Sequence, residues 1–142
     1  MRFNLDTFTR HYLIAALWST NDESNESGGA PMDVNHSIDD IASCTVEKAI
    51  ADCARFQTVA HDLLTLAYAH YDESGMSGHP DAGSAEACAG HDFWLARNRH
   101  GVGFWDRGMP DNIGAKITSV VCDNRDFPEI DLYVGDDGKI YS

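Results

Sequence analysis

Hydrophobic positions recur every three or four residues in three stretches of the chain, which is the spacing of one face of an α-helix. The first predicted helix begins after Asp6 or Thr7, either of which can cap its N-terminus, and ends at the polar run 19–27. Its apolar positions are Phe8, Tyr12, Ala15, Ala16 and Trp18. A short helix with one apolar face is predicted from Asn112 to Cys122.

The longest helical pattern runs from Thr45 to Tyr71 and predicts one long central helix. Its apolar stripe is Val46, Ile50, Cys53, Phe56, Ala60, Leu64, Ala67 and Tyr71. Such a stripe is typical either of a helix face that packs on a core or of a coiled-coil seam in a dimer. The aromatic and alanine positions within it favour the core face.

Near the C-terminus the pattern changes to strict alternation, which is typical of a half-buried β-strand. Ile130, Leu132 and Val134 alternate with Asp131 and Tyr133. The turn 135–138, of sequence GDDG, then leads back into a second strand. A type I turn with Gly138 in a bulge places Ile140 opposite Val134 on the core face, so this register is the one we predict.

A second hairpin is predicted from His91 to Arg107, with strands 92–97 and 102–107 on either side of the polar loop 98–101. In this register Trp94 faces Trp105, and Asp92 faces Arg107 as an ion pair. One face of the hairpin then carries Phe93, Leu95, Val102 and Phe104, a set suited to the core.

The two tryptophans on the other face allow two interpretations. They can form a second core layer over the small residues Ala96 and Gly103. Alternatively, Trp94, Trp105 and the neighbouring Arg107 form a partly exposed patch of the residue types that dominate protein-binding hot spots.

Together these elements predict a single domain, residues 1–142, of the α+β class. Its N-terminal helices, including the long central helix, pack on a small antiparallel sheet made of two C-terminal hairpins. The segments near 19–37 and 72–84 are rich in Gly, Ser, Asn and Asp and are predicted to be mobile loops. The apolar run Tyr12 to Trp18 is too short to span a membrane, and Asp6 upstream argues against a signal peptide.

Charge narrows the classes of partner. The chain has 10 Lys and Arg against 23 Asp and Glu, a net charge of −13, and residues 1–90 hold 14 of the acids but only 4 of the bases. Such a field repels nucleic acids and anionic lipids and attracts basic surfaces. The candidate contact residues in the acidic half are Asp22, Glu23, Glu26, Asp39 and Asp40.

Candidate chemistry is sparse. The four cysteines have no C-x-x-C spacing and are expected to be free thiols. Cys88, His91, His100 and His79 are the best candidates for a metal site, but their spacing matches no zinc pattern, and His61 and His70 lie on opposite faces of their helix. With no nucleophile elbow, phosphate loop or paired-carboxylate cleft, we predict no catalytic residue, no metal and no cofactor.

Two motifs carry a resemblance. Residues 91–108 read HDFWLARNRHGVGFWDRG and residues 129–141 read EIDLYVGDDGKIY. Together with Phe8 to Trp18 and Asp52 to Gln57, they resemble a family of small acidic proteins from bacteriophages and prophages. That family has no agreed reaction, so the resemblance implies no catalytic residues. Arg99 stands where the family usually has glycine.

The resemblance and the charge together suggest a phage-encoded inhibitor of a bacterial nucleic-acid-targeting defence system, of the anti-CRISPR or anti-restriction type. As a monomer or dimer in the host cytoplasm, it would bind a basic, nucleic-acid-binding surface of a host protein or ribonucleoprotein complex, without binding nucleic acid or membrane itself. Two alternatives remain open: a structural or regulatory phage protein that binds a partner through the Trp94 and Trp105 face, and a metal-assisted hydrolase.

Overall fold

The computed structural model describes residues 3–24, 29–76, 83–100, 102–123 and 125–142. In these ranges the chain forms five α-helices and two antiparallel sheets of two short strands each. In chain order the elements are α1 Thr7–Ser19, β1 Asn21–Asp22, β2 Ala30–Pro31, α2 Ser43–Val59, α3 His61–Ser74, α4 Ala85–Arg97, α5 Ile113–Cys122, β3 Tyr133–Val134 and β4 Ile140–Tyr141. The α+β class is therefore confirmed.

Helix α1 begins where the sequence predicts. The Asp6 carboxylate accepts a hydrogen bond from the backbone N–H of Thr9 at 2.7 Å, which satisfies one of the unpaired donors of the first turn. Phe8 and Tyr12 are buried as expected. Trp18, in contrast, points away from the core and is exposed.

The predicted long helix is broken in two at Ala60, where φ is −105° and ψ is 15°. The N–H of Ala60 still bonds the carbonyl of Phe56, and its own carbonyl still accepts from Leu64. Because the break occupies a single residue, the spacing of apolar positions continues across it, and the sequence pattern does not reveal it. Beyond the break, α3 packs against α4 and α5.

The prediction of a hairpin from His91 to Arg107 is wrong, because the residues assigned to its first strand form the second half of helix α4. The Ser84 hydroxyl caps this helix by accepting from the N–H of Ala87 at 3.2 Å. Eleven residues of α4 are buried, on all sides of the helix. A helix that is covered all round has no single apolar face, so the helical period does not appear in its sequence.

Glycine at two helix positions allows close packing of the backbone. A Cβ added to Gly90 of α4 would lie 2.1 Å from the carbonyl oxygen of Phe8, and one added to Gly114 of α5 would lie 2.3 Å from that of Phe104.

The second predicted strand of the hairpin contains Phe104, which instead lies in a 3₁₀ turn, Phe104–Asp106, beside α5. Its buried ring joins Phe56 and Phe93, whose rings stack at 4.2 Å, in the core.

The C-terminal hairpin has the predicted register. Val134 pairs with Ile140, and Gly138 has a positive φ of 79°, as the bulged turn requires. The carbonyl of Ile140 accepts from the N–H of Ala42 at 2.8 Å, which ties the hairpin to the start of α2. The other sheet, β1–β2, lies in the N-terminal half, so the prediction that the sheet consists of two C-terminal hairpins is corrected to one.

None of the helices in the described ranges is both long and apolar enough to cross a membrane. The four cysteines carry free thiols.

Candidate binding site at the Asp92–Arg107 pair

A buried carboxylate on α4 is the most densely bonded polar group on this side of the molecule. Asp92 accepts two hydrogen bonds from Arg107, Nη2 to Oδ1 at 2.7 Å and Nε to Oδ2 at 3.1 Å. The Tyr71 hydroxyl donates to Oδ2 at 2.5 Å, and the His91 Nδ1 atom lies 3.6 Å from Oδ1. The carboxylate thus links α3, α4 and the loop that carries Arg107.

These bonds fix the protonation states of the cluster. Burial alone would raise the pKa of Asp92, but hydrogen bonds from His91, Arg107 and Tyr71 and the charge of Arg107 outweigh burial and lower it below its ordinary value. The hydrogen bond to Asp92 raises the pKa of Arg107 further. Burial, followed by the charge of Asp92, raises the pKa of Tyr71. The cluster is therefore a fixed ion pair with a neutral phenol at neutral pH.

The cluster has no activated nucleophile. Burial raises the pKa of the Cys88 thiol, which donates to the carbonyl of Met76 at 3.7 Å. A protonated thiol is a poor nucleophile, and the oxygens of Asp92 already accept three hydrogen bonds. Neither the Cys88 thiol nor the Asp92 carboxylate is therefore activated as a nucleophile or base here.

A cavity of about 500 Å³ opens beside the ion pair. Ile14, Met76 and Cys88 give it apolar walls, while Arg107, His91 and His11 supply polar groups. Burial and the charges of Arg10 and His91 lower the pKa of His11, so this imidazole is neutral at pH 7. A mostly apolar cavity of this size with a few convergent polar groups is typical of small-molecule sites.

One edge of the Arg107 guanidinium faces outward. A guanidinium has five N–H donors, and Asp92 takes one on Nε and one on Nη2. Nη1 donates to no residue that the structure describes. Every buried side-chain nitrogen or oxygen in those ranges has a partner, so an Nη1 atom without one must be accessible to solvent. Arg107 also lines the cavity.

Helix α1 adds an exposed apolar stripe at the rim of this cavity, which the sequence analysis missed. Ile14 and Trp18 are exposed, and the Trp18 ring lies 5.8 Å from that of His91. The signal was present, because His11, Ile14 and Trp18 are spaced by three and four residues, on a different face of the helix from Phe8 and Tyr12.

Trp94 and Trp105 do not share a face. Trp94 is buried on α4, where its indole N–H donates to the Ser19 hydroxyl at 2.7 Å. Trp105 lies in the 3₁₀ turn and is 54% exposed. The expected patch of Trp94, Trp105 and Arg107 is corrected because a helix and a loop, not two paired strands, carry these side chains. The predicted Asp92–Arg107 contact does exist, across a loop and not across a hairpin.

The acidic candidates fall into two groups. Glu23 and Asp39 are exposed. Asp22 is buried: it accepts from the Ser24 hydroxyl at 2.5 Å and lies 3.5 Å from His36. Hydrogen bonds from Ser24 are the main reason why the pKa of Asp22 is lowered.

Asp40 is half-buried and lies 3.6 Å from the other nitrogen of the same His36 ring, so it and Asp22 hold their own segment together. Asp22 is thus corrected from a surface contact to an internal one. Glu26 lies outside the described residues.

The predicted metal candidates are only partly brought together. Cys88 and His91 line the same cavity, whereas His100 is exposed beyond the end of α4 and His79 lies outside the described residues. The His70 Nε2 atom bonds the carbonyl of Arg107 at 2.8 Å. Across the described ranges, no three His, Cys, Asp or Glu side chains form a group that could hold a metal ion.

No known protein family, no curated protein and no solved structure matches this chain. The resemblance to small acidic phage proteins therefore stays a prediction, as does the single-domain boundary.

Proposed function

We propose that this protein is a phage-encoded, non-enzymatic inhibitor that acts in the bacterial cytoplasm on a nucleic-acid-targeting defence complex of the CRISPR or restriction type. Its carboxylates bind the Lys and Arg side chains with which that complex holds nucleic acid. The resemblance supplies the phage context. The distribution of charge over the fold supports the mode of binding.

The basic side chains do little to offset the acidic surface. Of the ten Lys and Arg residues, nine lie in the described ranges. Four of these form ion pairs with carboxylates of the same chain: Arg55 with Asp126, Arg97 with Asp52, Arg99 with Glu129, and Arg107 with Asp92. Their charges are thus neutralised within the molecule and do not offset exposed carboxylates such as Glu23, Asp39 and Glu47.

The observation that carries the proposal is one acidic segment. From His11 to Glu47 the chain has seven acidic residues and no Lys or Arg. Glu23, Asp33, Asp39 and Glu47 are exposed. The contacts of His36 with Asp22 and Asp40 and the burial of Met32 hold this segment in place, so these carboxylates are displayed on an ordered scaffold.

The test is direct binding to purified CRISPR effector complexes and restriction enzymes, with target DNA as competitor. We expect binding that DNA displaces and that weakens by about tenfold or more between about 50 and 200 mM salt. The triple variant Glu23→Lys, Asp33→Lys, Asp39→Lys should lose this binding.

A matched control separates a local site from net charge. The triple variant Glu73→Lys, Asp131→Lys, Asp136→Lys reverses three exposed acids elsewhere and changes the net charge by the same amount. It should retain most of the binding. Binding that does not compete with DNA, or equal losses in both triple variants, would count against the acidic segment as the site.

A second candidate function is a structural or regulatory phage protein that binds its partner through an aromatic surface. Trp105 favours it, because this large side chain is exposed next to the exposed Val102 in the same loop. Replacing Trp105 with alanine should abolish partner binding under this hypothesis. The same change should leave binding nearly intact if the acidic segment is the site.

A further inference from the structure

We propose that the cavity beside Asp92 and Arg107 binds a small organic monoanion with an apolar or aromatic body, whose carboxylate accepts hydrogen bonds from the open edge of Arg107. This site is separate from the acidic segment from His11 to Glu47, apart from the rim residues of α1. It can therefore exist whether or not the proposed inhibition does.

The size and walls of the cavity set the body of the ligand. A volume of about 500 Å³ fits a molecule of one or two rings. Ile14, Met76, Ala87 and Cys88 present mainly carbon and sulfur atoms to it. Burial of an apolar body against these walls supplies the non-directional part of the binding.

The hydrogen-bonding groups set the head of the ligand. The oxygens of Asp92 are already occupied by Arg107 and Tyr71, so they offer little to a donor on the ligand. Both N–H donors of Nη1 and the second N–H of Nη2 have no partner in the described ranges. A planar carboxylate is the group that best matches this Nη1–Nη2 edge, because it accepts two parallel hydrogen bonds, one from each nitrogen.

The surrounding charge limits the ligand to a single negative charge. Asp92 already neutralises Arg107, and the Asp106 carboxylate lies 3.9 Å from Nε. The chain as a whole carries −13. A polyanion such as a nucleoside triphosphate would meet net repulsion here, whereas a monoanion pairs locally and keeps its apolar body in contact with the walls.

The aromatic rim favours a flat body. His91 lines the cavity, and its ring lies 5.8 Å from the exposed Trp18 ring, with an interplanar angle of 39°. An aromatic ligand bound beside Arg107 and His91 would lie near both rings.

Three probes of nearly the same shape test the proposal: 2-naphthoate, 2-naphthamide and 2-naphthylmethylammonium. Their dissociation constants are measured by calorimetry. We expect naphthoate to bind about tenfold more tightly than the amide, because only the carboxylate makes charge-assisted hydrogen bonds with Arg107. The ammonium probe should bind most weakly.

Two exposed apolar side chains on helices provide a matched pair of variants. Ile14 lines the cavity and is 40% exposed, whereas Leu66 of α3 is 51% exposed and does not line it. Ile14→Gln should weaken all three probes by a similar factor of roughly three to ten. Leu66→Gln should change none of them.

The double variant Asp92→Asn, Arg107→Gln tests the head group. It removes both charges of the pair at once, so no buried charge is left without a partner. We expect the preference for naphthoate over naphthamide to vanish while the amide still binds. If this variant does not fold, the unmodified protein provides the test by NMR. Naphthoate should shift the Nε–H resonance of Arg107 much more than naphthamide does.

Several results would overturn the proposal. One is the absence of any probe binding at millimolar concentration. Others are equal binding of carboxylate and amide, the tightest binding for the ammonium probe, and an unchanged affinity in Ile14→Gln. Loss of defence-complex binding in the acidic-segment variant, with probe binding intact, would concern the proposed function alone.

Discussion

Helix α4 carries one member of each of two arginine–carboxylate pairs, and the two pairs are built in opposite ways. In the first, Arg97 of α4 is the buried member, 1% exposed, and its partner Asp52 of α2 is 30% exposed. In the second, Asp92 of α4 is the buried member, 1% exposed, and its partner Arg107 is 23% exposed. One pair therefore buries the cation and the other buries the anion.

The buried cation makes three hydrogen bonds, to three different residues. Arg97 donates to the Asp52 carboxylate at 2.8 Å, to the Tyr12 hydroxyl at 3.0 Å and to the carbonyl of Pro128 at 2.9 Å. Its guanidinium carbon also lies 5.7 Å from the centre of the Phe93 ring. Because the Arg97 side chain is only 1% exposed and joins these elements, it has a structural role.

In the pair that buries the anion, the arginine uses only two of its N–H donors. Asp92 binds the Nε–Nη2 edge of Arg107, while Nη1 has no partner in the described ranges and Arg107 lines a cavity. The comparison shows that the same two residue types can bury either the cation or the anion of a pair, and that burying the anion leaves the arginine more exposed.

The largest effect is expected when Arg107 is removed. Arg107→Met leaves the carboxylate of Asp92 buried without its cation, which typically costs about 3–5 kcal/mol of unfolding free energy. Urea unfolding at pH 7 measures this loss. Lys116→Met, which removes an exposed base on α5, should stay within about 0.5 kcal/mol of the unmodified protein. A loss below about 1 kcal/mol for Arg107→Met would mean that the pair adds little to stability.

The same variant should show a characteristic pH dependence. Without Arg107, burial becomes the dominant influence and raises the pKa of Asp92 in the folded state. The folded protein then binds a proton more readily than the unfolded chain, so the stability of the variant relative to the unmodified protein improves as pH falls. Unfolding at pH 7 and pH 5 should show a smaller loss at pH 5. An equal loss at both values would exclude protonation of Asp92.

A smaller effect is expected for the partner of the buried cation. Asp52→Asn keeps an amide oxygen near Arg97, while Tyr12, Pro128 and the Phe93 ring still surround the guanidinium. The expected loss is about 1–2 kcal/mol, the difference between a charged and a neutral hydrogen bond at a partly exposed residue. Since arginine stays protonated, this loss should be the same at pH 7 and pH 5. A loss that changes with pH would erase the contrast between the two pairs.

The smallest effect concerns the end of α4 just beyond Arg97. Arg99 has a left-handed φ of 55°, and the N–H of His100 bonds the carbonyl of Leu95, which is the Schellman arrangement that usually contains glycine. Arg99→Gly should stabilise the protein by about 0.5–1 kcal/mol, since relief of the left-handed strain exceeds the entropy cost of glycine. Thermal unfolding provides the measurement.

The neighbouring position provides the control for Arg99. Asn98→Gly should destabilise, because the Asn98 side chain accepts from the N–H of Ile130 at 2.8 Å and its φ is negative. If both substitutions have the same sign, the left-handed conformation of Arg99 is not the reason for the effect.

Helices at the chain surface and the terminal hairpin could be predicted because each exposes one side. Asp6 caps α1 as expected, α5 begins one residue after the predicted start, and Val134 pairs with Ile140. An element with one buried and one solvated side shows its period in the sequence. This is why its type and its register could both be predicted.

The segment from His91 to Arg107 could not be predicted for the opposite reason. Since α4 is buried on all sides, its residues show no helical period, and the β-favouring Phe93 and Trp94 suggested a strand. The Asp92–Arg107 contact was predicted, but from the strand register of a hairpin that does not form; in the structure a helix and a loop bring the two side chains together.

By itself, the sequence determined the α+β class, the acidic character, the starts of α1 and α5 and the final hairpin, all of which depend on neighbouring residues or on composition. Tertiary structure alone decided that Trp94 is buried and Trp18 is exposed, that Asp22 binds inward, and that Arg107 keeps one edge open to a cavity. These outcomes depend on which residues distant in sequence cover a side chain. A local sequence pattern does not show which distant residues will bury a given side chain, because that depends on how the whole chain packs.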